Sequence, residues 1–227
     1  MIPWTHLDTA PIPGGEGALR LMRRGDEFSI MLGANELMNS RLSGSEEALA
    51  TLSCARLQSP QPRVLIGGLG MGFTLRAALG ALGPGAQVVV AELVPAVVAW
   101  ARGPMAPVYG DSLGDARLRI EEADVGALIR AARRDYDAIL LDVDNGPEGL
   151  TRDSNGALYS REGLLAARHA LRPGGVLAVW SSHPDRHFTT RLRKAGFRVE
   201  EESVRARGRR GARHVVWLAI NDAPAQR

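Results

Sequence analysis

Between residues 63 and 220 the chain alternates short apolar runs with longer stretches whose apolar residues recur three or four positions apart. The short runs predict strands at 63–67, 87–92, 117–121, 137–142, 175–180, 197–203 and 214–220. The longer stretches predict helices at 72–82, 94–102, 124–133, 160–171 and 186–195. The last two strands have no helix between them, so they should pair antiparallel. Five strand–helix units closed by an antiparallel hairpin predict a doubly wound, seven-stranded α/β sheet. Upstream, residues 18–40 alternate weakly between apolar and polar, with turns at Arg24-Gly25-Asp26 and Gly33-Ala34-Asn35, which predicts a small β-meander. A helix should follow over 45–58, with Ser45 as its N-cap and Glu46 and Glu47 in its first turn, and Pro60 and Pro62 end it. These readings divide the chain into a β-rich segment, 1–44, and an α/β domain, 45–227.

Composition narrows the setting. The 227 residues are 45% hydrophobic, enough for one buried core. Cys54 is the one cysteine, which rules out an internal disulfide and fits a reducing, cytoplasmic compartment. Its half-apolar helical surroundings favour a core thiol over a nucleophile. The N-terminal MIPWTHLDTAPIPGG has no apolar signal-like run, and no stretch is long and apolar enough to suggest a membrane span. The net charge is +3, and much of the basic character lies in RARGRRGAR, with Arg205, Arg207, Arg209, Arg210 and Arg213. Strand-like flanks on both sides favour a solvated hairpin there over a nucleic-acid surface.

The candidate chemistry lies in RVLIGGLGMGFTLRAALGALGPGAQVVVAE, residues 63–92. A strand leads into Gly68, Gly70 and Gly72, a helix follows, and the second strand ends on Glu92. Glycines let a backbone approach a ligand closely, a helix N-terminus offers free N–H groups, and an acid at the tip of the second strand can accept both hydroxyls of a ribose. An adenosine-containing small molecule is the expected ligand.

At this point the chain resembles the class I S-adenosylmethionine-dependent transferases, and within them the spermidine synthase family, over most of its length. GLGMGFTLR at 68–76 is similar to that family's GGGDGGTLR loop, and YDAILLDVDNGPEG at 136–149 to its YDVIIVDSSDPVGP. IEEADVGALI at 120–129 and LYSREGLLAARHALRPGGVLAVWSS at 158–182 resemble the segments beside them. The resemblance implies a Rossmann-like fold, Glu92 on the ribose, Asp124 on the adenine amino group and Asp142 as the catalytic acid, also touching the donor. Asp144 is the reserve catalytic acid. It also implies a possible homodimer. The departures fall on the acceptor and donor-tail sites: Met71 replaces the loop aspartate, Asn145 replaces the second acid, and MNSRLSGSEEALA stands where the family has its YHE segment.

Two acids without a basic neighbour would draw a cationic amine acceptor, and Glu46, Tyr159 and His183 are candidates to line its site. Trp180 follows on the same strand end. Because the lost motifs suit a decarboxylated donor, the expected reaction is methyl transfer from S-adenosylmethionine to a small amine. Arg76 or the loop N–H groups would hold the donor carboxylate. The alternative is aminopropyl transfer from decarboxylated S-adenosylmethionine to a polyamine, and the second alternative a non-catalytic nucleoside- or nucleic-acid-binding module. No cysteine–histidine or histidine–acid spacing suggests a metal.

Overall fold

The computed structural model describes residues 2–15, 17–143, 153–207 and 210–222. Four strands, β1 (Thr5–Pro11), β2 (Ala18–Arg24), β3 (Glu27–Leu32) and β4 (Asn35–Asn39), form an antiparallel meander. Gly25 and Gly33 make its two predicted turns with positive φ. The first strand was not foreseen. All of β1 except Ala10 is exposed, so its sequence carries no alternation to read.

Helix α1 (Gly44–Cys54) comes next. Ser43 rather than Ser45 precedes its first turn, and Ser45 is fully buried with its hydroxyl turned to other partners. The main sheet is then laid down by β5 (Arg63–Gly67), α2 (Phe73–Ala81), β6 (Gln87–Glu92), α3 (Pro95–Arg102), the short α4 (Ala106–Tyr109), β7 (Leu118–Glu122), α5 (Val125–Ala131), β8 (Tyr136–Leu141), α6 (Asp153–Leu158), α7 (Arg161–Ala170), β9 (Leu171–Ser181), α8 (Arg186–Lys194), β10 (Arg198–Arg207) and β11 (Arg210–Ile220). The strand order is β10-β11-β9-β8-β5-β6-β7, and only β11 runs against its neighbours. The ladder of the predicted hairpin runs into the arginine-rich stretch, with Arg205 opposite Arg213 and Arg207 opposite Arg210.

Period-2 alternation in the parallel strands feeds two cores. Val64, Ile66, Val90 and Leu140 face α1, α2, α3 and the N-terminal meander, whose Leu21 and Ile30 join the same cluster. Leu65, Val89, Ile139 and Leu141 face α5, α7 and α8. Two polar ties fix the layers: the Trp100 indole N–H donates to Asp8 at 2.6 Å, joining β1 to α3, and Arg56 pairs with Glu200 of β10 at 2.6 Å. Among the described residues no helix is long and apolar enough to cross a membrane.

The chain leaves β5 towards β6 and β7 on one side and returns from β7 to β8 on its other side, and this reversal of strand order opens a crevice above the carboxyl end of β5. The chain enters that crevice through Gly72, which has φ +76° at the start of α2; a Cβ there would lie 2.3 Å from the Tyr109 ring. Gly72→Ala should therefore cost more than the roughly 1–2 kcal/mol of a left-handed side chain alone. Gly80→Ala, in open space on the same helix, should gain roughly 0.5–1 kcal/mol. Urea unfolding of both variants checks the contrast.

Candidate functional site

Three carboxyls come from the strand ends and loops around this crevice. Glu92 closes β6, Asp142 follows β8, and Asp124 precedes α5. A fourth, Glu46, comes from the first turn of α1. Strand β4 passes above them and lays Leu37 and Met38 over the glycine loop, as a roof shared by two adjoining cavities. The larger, about 140 Å³, is mostly apolar and includes Gly68, Glu92, Asp124 and Val143. The smaller, about 100 Å³, lies among Asn39, Glu46, Met71, Phe73 and Trp180. Asp142 and Gly70 border both.

Glu92 is buried, and each of its oxygens accepts a backbone N–H, one from Leu69 at 2.9 Å and one from Val94 at 2.8 Å. Burial pushes this carboxyl above the ordinary range, and the N–H groups pull against that. The glycine loop is shaped by contacts within the protein. A Cβ on Gly68 would lie 2.6 Å from the Asp142 carbonyl, and the Tyr109 hydroxyl donates to the Gly70 carbonyl at 2.5 Å. The Gly68 and Gly72 N–H groups go to Ala91 and Leu69 carbonyls. Asp124 caps α5 through the Gly126 N–H at 2.8 Å and also lines the larger cavity.

Asp142 and Glu46 face the smaller cavity together. The Thr74 hydroxyl donates to Asp142 at 2.6 Å. Burial, followed by the nearby Glu46 charge, pushes the Asp142 carboxyl up to about 7, and Thr74 offsets part of this. Burial also raises Glu46, with the Ser45 hydroxyl opposing and Glu47 adding to the rise. The pattern around Thr74 could have been found in the sequence, since it stands two residues after Gly72 in the loop motif. The roof residues Leu37 and Met38 gave no chemical signal at all.

Other expected residues lie elsewhere. Tyr159 is buried in the second core, edge-on to Phe188 with ring centroids 5.6 Å apart, and lines neither cavity. An aromatic at the end of a helix served packing there. His183 is exposed beside Ser182 and also lines neither cavity. Asp144 lies outside the described residues. Cys54 is a buried thiol, pushed by burial up to about 11.

No family profile matches the chain. Curated relatives do. A polyamine aminopropyltransferase 1 from Streptomyces coelicolor is 35% identical over 130 residues, which cover 56% of this chain and 24% of that protein. A polyamine aminopropyltransferase from Korarchaeum cryptofilum is 28% identical over 151 residues, covering 66% and 44%. The chain thus spans less than half the length of these relatives. Among solved structures, spermidine synthase from Thermotoga maritima superposes with a TM-score of 0.74 at 17% identity over 96% of this chain and 74% of that one. A probable spermidine synthase from Corynebacterium glutamicum gives 0.66 at 13%, over 97% and 81%. Part of the chain is thus similar in sequence to polyamine aminopropyltransferases, and its fold is that of the solved spermidine synthases.

These relatives overturn methyl transfer as the leading reaction, since the matched proteins are named as polyamine aminopropyltransferases. The geometry supplies a physical reason. Arg76 is exposed and donates to the Val108 carbonyl at 2.9 Å, and no described residue lining either cavity is a lysine or arginine. The Gly68, Leu69 and Gly72 N–H groups are also engaged within the protein.

Because Glu92 anchors two backbone donors, its removal should affect the fold as well as ligand binding. Glu92→Ala should lose on the order of 2 kcal/mol of unfolding free energy, the cost of stranding buried N–H groups, and should abolish binding of an adenosine-containing ligand. Denaturant unfolding and calorimetry measure the two losses separately.

Proposed function

We propose that the chain transfers an aminopropyl group from decarboxylated S-adenosylmethionine to a small cationic amine of the polyamine type. The observation that carries this reading is the charge of the site: Glu46, Glu92, Asp124 and Asp142 line two joined cavities with no cationic side chain among the described lining residues. The decarboxylated donor carries a sulfonium and an ammonium and no anion, so it suits such walls at both ends. A donor that kept its carboxylate would set it against Asp142 and Glu46 in a poorly solvated space. The curated relatives' names point the same way.

In this reading the nucleoside occupies the larger cavity, with its ribose on Glu92 and its base toward Asp124. The aminopropyl arm crosses Asp142 into the smaller cavity, where the acceptor amine lies between Asp142 and Glu46. An ammonium must lose a proton before it can attack. A carboxyl held near neutrality is well matched to taking it, being partly ionised yet basic enough to accept. The amine lone pair then forms a C–N bond as the C–S bond breaks, and the bonding pair leaves on sulfur as a neutral thioether. Residues 1–44 act as the roof that excludes water, and residues 45–227 as the transferase domain. The single thiol keeps the cytoplasm as the proposed compartment.

The test is product identity by mass spectrometry after incubation with a diamine and each donor in turn. An amine lengthened by one aminopropyl unit is expected from the decarboxylated donor, and a methylated amine from the intact donor would overturn the reading. Asp142→Asn should stop turnover. It should also melt higher than the unsubstituted protein at pH 8. In the folded state Asp142 holds its proton well above the ordinary carboxyl value of 3.8, so its favourable contribution is complete below that value and lost as pH rises through about 7. At pH 4 the two proteins should melt alike.

A further inference from the structure

Ser45 and His214 were not expected to bear on the site, yet they link it to the far edge of the sheet. Ser45 is fully buried, and its hydroxyl donates to Glu46 Oε2 at 2.7 Å. The Ser45 hydroxyl oxygen also lies 2.9 Å from Nδ1 of His214, a half-buried residue of β11 that is distant in sequence. The His214 ring stands edge-on to Trp180, a wall of the smaller cavity, with centroids 4.9 Å apart. A serine whose only described side-chain contacts are a carboxylate on one side and an imidazole on the other is a hydroxyl bridge between two titratable groups.

We propose that Glu46, Ser45 and His214 form a proton relay that carries the acceptor amine's proton out of the closed cavity. The relay rests on the aminopropyl-transfer reading. Each turnover converts a primary ammonium into a secondary ammonium, so one proton must leave for every C–N bond made. The ammonium gives its proton to the Glu46 carboxylate, either directly or by way of Asp142. Protonated Glu46 donates to the Ser45 oxygen as the Ser45 proton passes to the Nδ1 lone pair. This leaves an ionised Glu46, a serine hydroxyl turned back to it and an imidazolium. The imidazolium then loses its Nε2 proton to solvent, and exchange of the ring protons resets it.

The surroundings favour this direction of flow. His214 is drawn below its ordinary value first by burial and then by His183, so it is neutral at rest and parts readily with an added proton. Strand β10 places the uncharged Val204 opposite it, and Glu46 on α1, through Ser45, is the acid linked to it. At the inner end, Glu46 is faced by Asp142 and flanked by Glu47, all acids, so a proton arriving in the cavity is held until it is passed on. The buried indole N–H of Trp180 has no hydrogen-bond partner among the described residues, which leaves the bridge through Ser45 as the described polar path from Glu46 to His214.

Two measurements test the relay independently of each other. The first follows the His214 imidazole by NMR across pH, its signal assigned by loss in His214→Ala. Glu46→Gln should lower the His214 titration midpoint further, and Ser45→Ala should weaken that coupling. A midpoint indifferent to Glu46→Gln overturns the relay whether or not the protein turns over. The second measures turnover with the decarboxylated donor and a diamine. His214→Ala should reduce kcat roughly tenfold or more, leave the donor KM within about twofold, and recover rate on addition of imidazole. Unchanged kcat, or a loss that imidazole does not restore, overturns the relay. Absence of turnover in the unsubstituted protein with every donor and amine tried overturns the functional reading itself, and the relay's role with it.

Discussion

The site depends on gathering carboxyls where water is scarce. Glu92, Asp142 and Glu46 are brought to one edge of a parallel sheet and covered by a second sheet, and burial raises all three above ordinary carboxyl values. An ionised acid in such a place is costly unless donors face it. Here each has its own donors: two backbone N–H groups for Glu92, the Thr74 hydroxyl for Asp142 and the Ser45 hydroxyl for Glu46. The glycine loop brings its Leu69 N–H to one of these acids, Glu92. The α1 helix presses against α2 and the sheet, which holds Glu46 beside the Asp142 strand end. A cationic ligand would supply the charge that these donors leave uncompensated.

The fold was largely legible from the sequence because its central strands are buried on both faces and its helices on one. Runs such as Val88-Val89-Val90 and Ile139-Leu140-Leu141 leave little room for another reading, and the helices between them set the topology. Legibility fails where burial fails. The exposed β1 could not be seen, and the strands of the predicted final hairpin were ended at 203 and begun at 214, short of the paired arginines, because arginine carries no strand signal. Ser45 looked like a helix cap, since serine before Glu46 and Glu47 fits that role locally, but tertiary packing drew its hydroxyl to His214 across 169 positions of sequence. No local pattern could have shown this.

The site followed the same division. The glycines, Glu92, Asp124 and Asp142 lie at strand ends whose spacing the sequence fixes, and the fold brings them together around one crevice. Tyr159 and His183 were placed by proximity in sequence to that crevice, and the chain turned them into the core and to solvent. The expectation of methyl transfer came from missing family motifs alone. Those motifs say nothing of what replaces them. Glu46 adds a second acid beside Asp142 in the smaller cavity, and no lysine or arginine lines either cavity among the described residues.

The central claim is that this acidic, carboxylate-lined site is built for a donor without an anion. Calorimetric titration of the purified protein with decarboxylated and with intact S-adenosylmethionine tests it most directly. The account predicts tighter binding of the decarboxylated donor, by about tenfold or more, an energy of roughly 1.4 kcal/mol or above. Equal binding of the two, or tighter binding of the intact donor, would contradict it and show that a carboxylate has a place in the site.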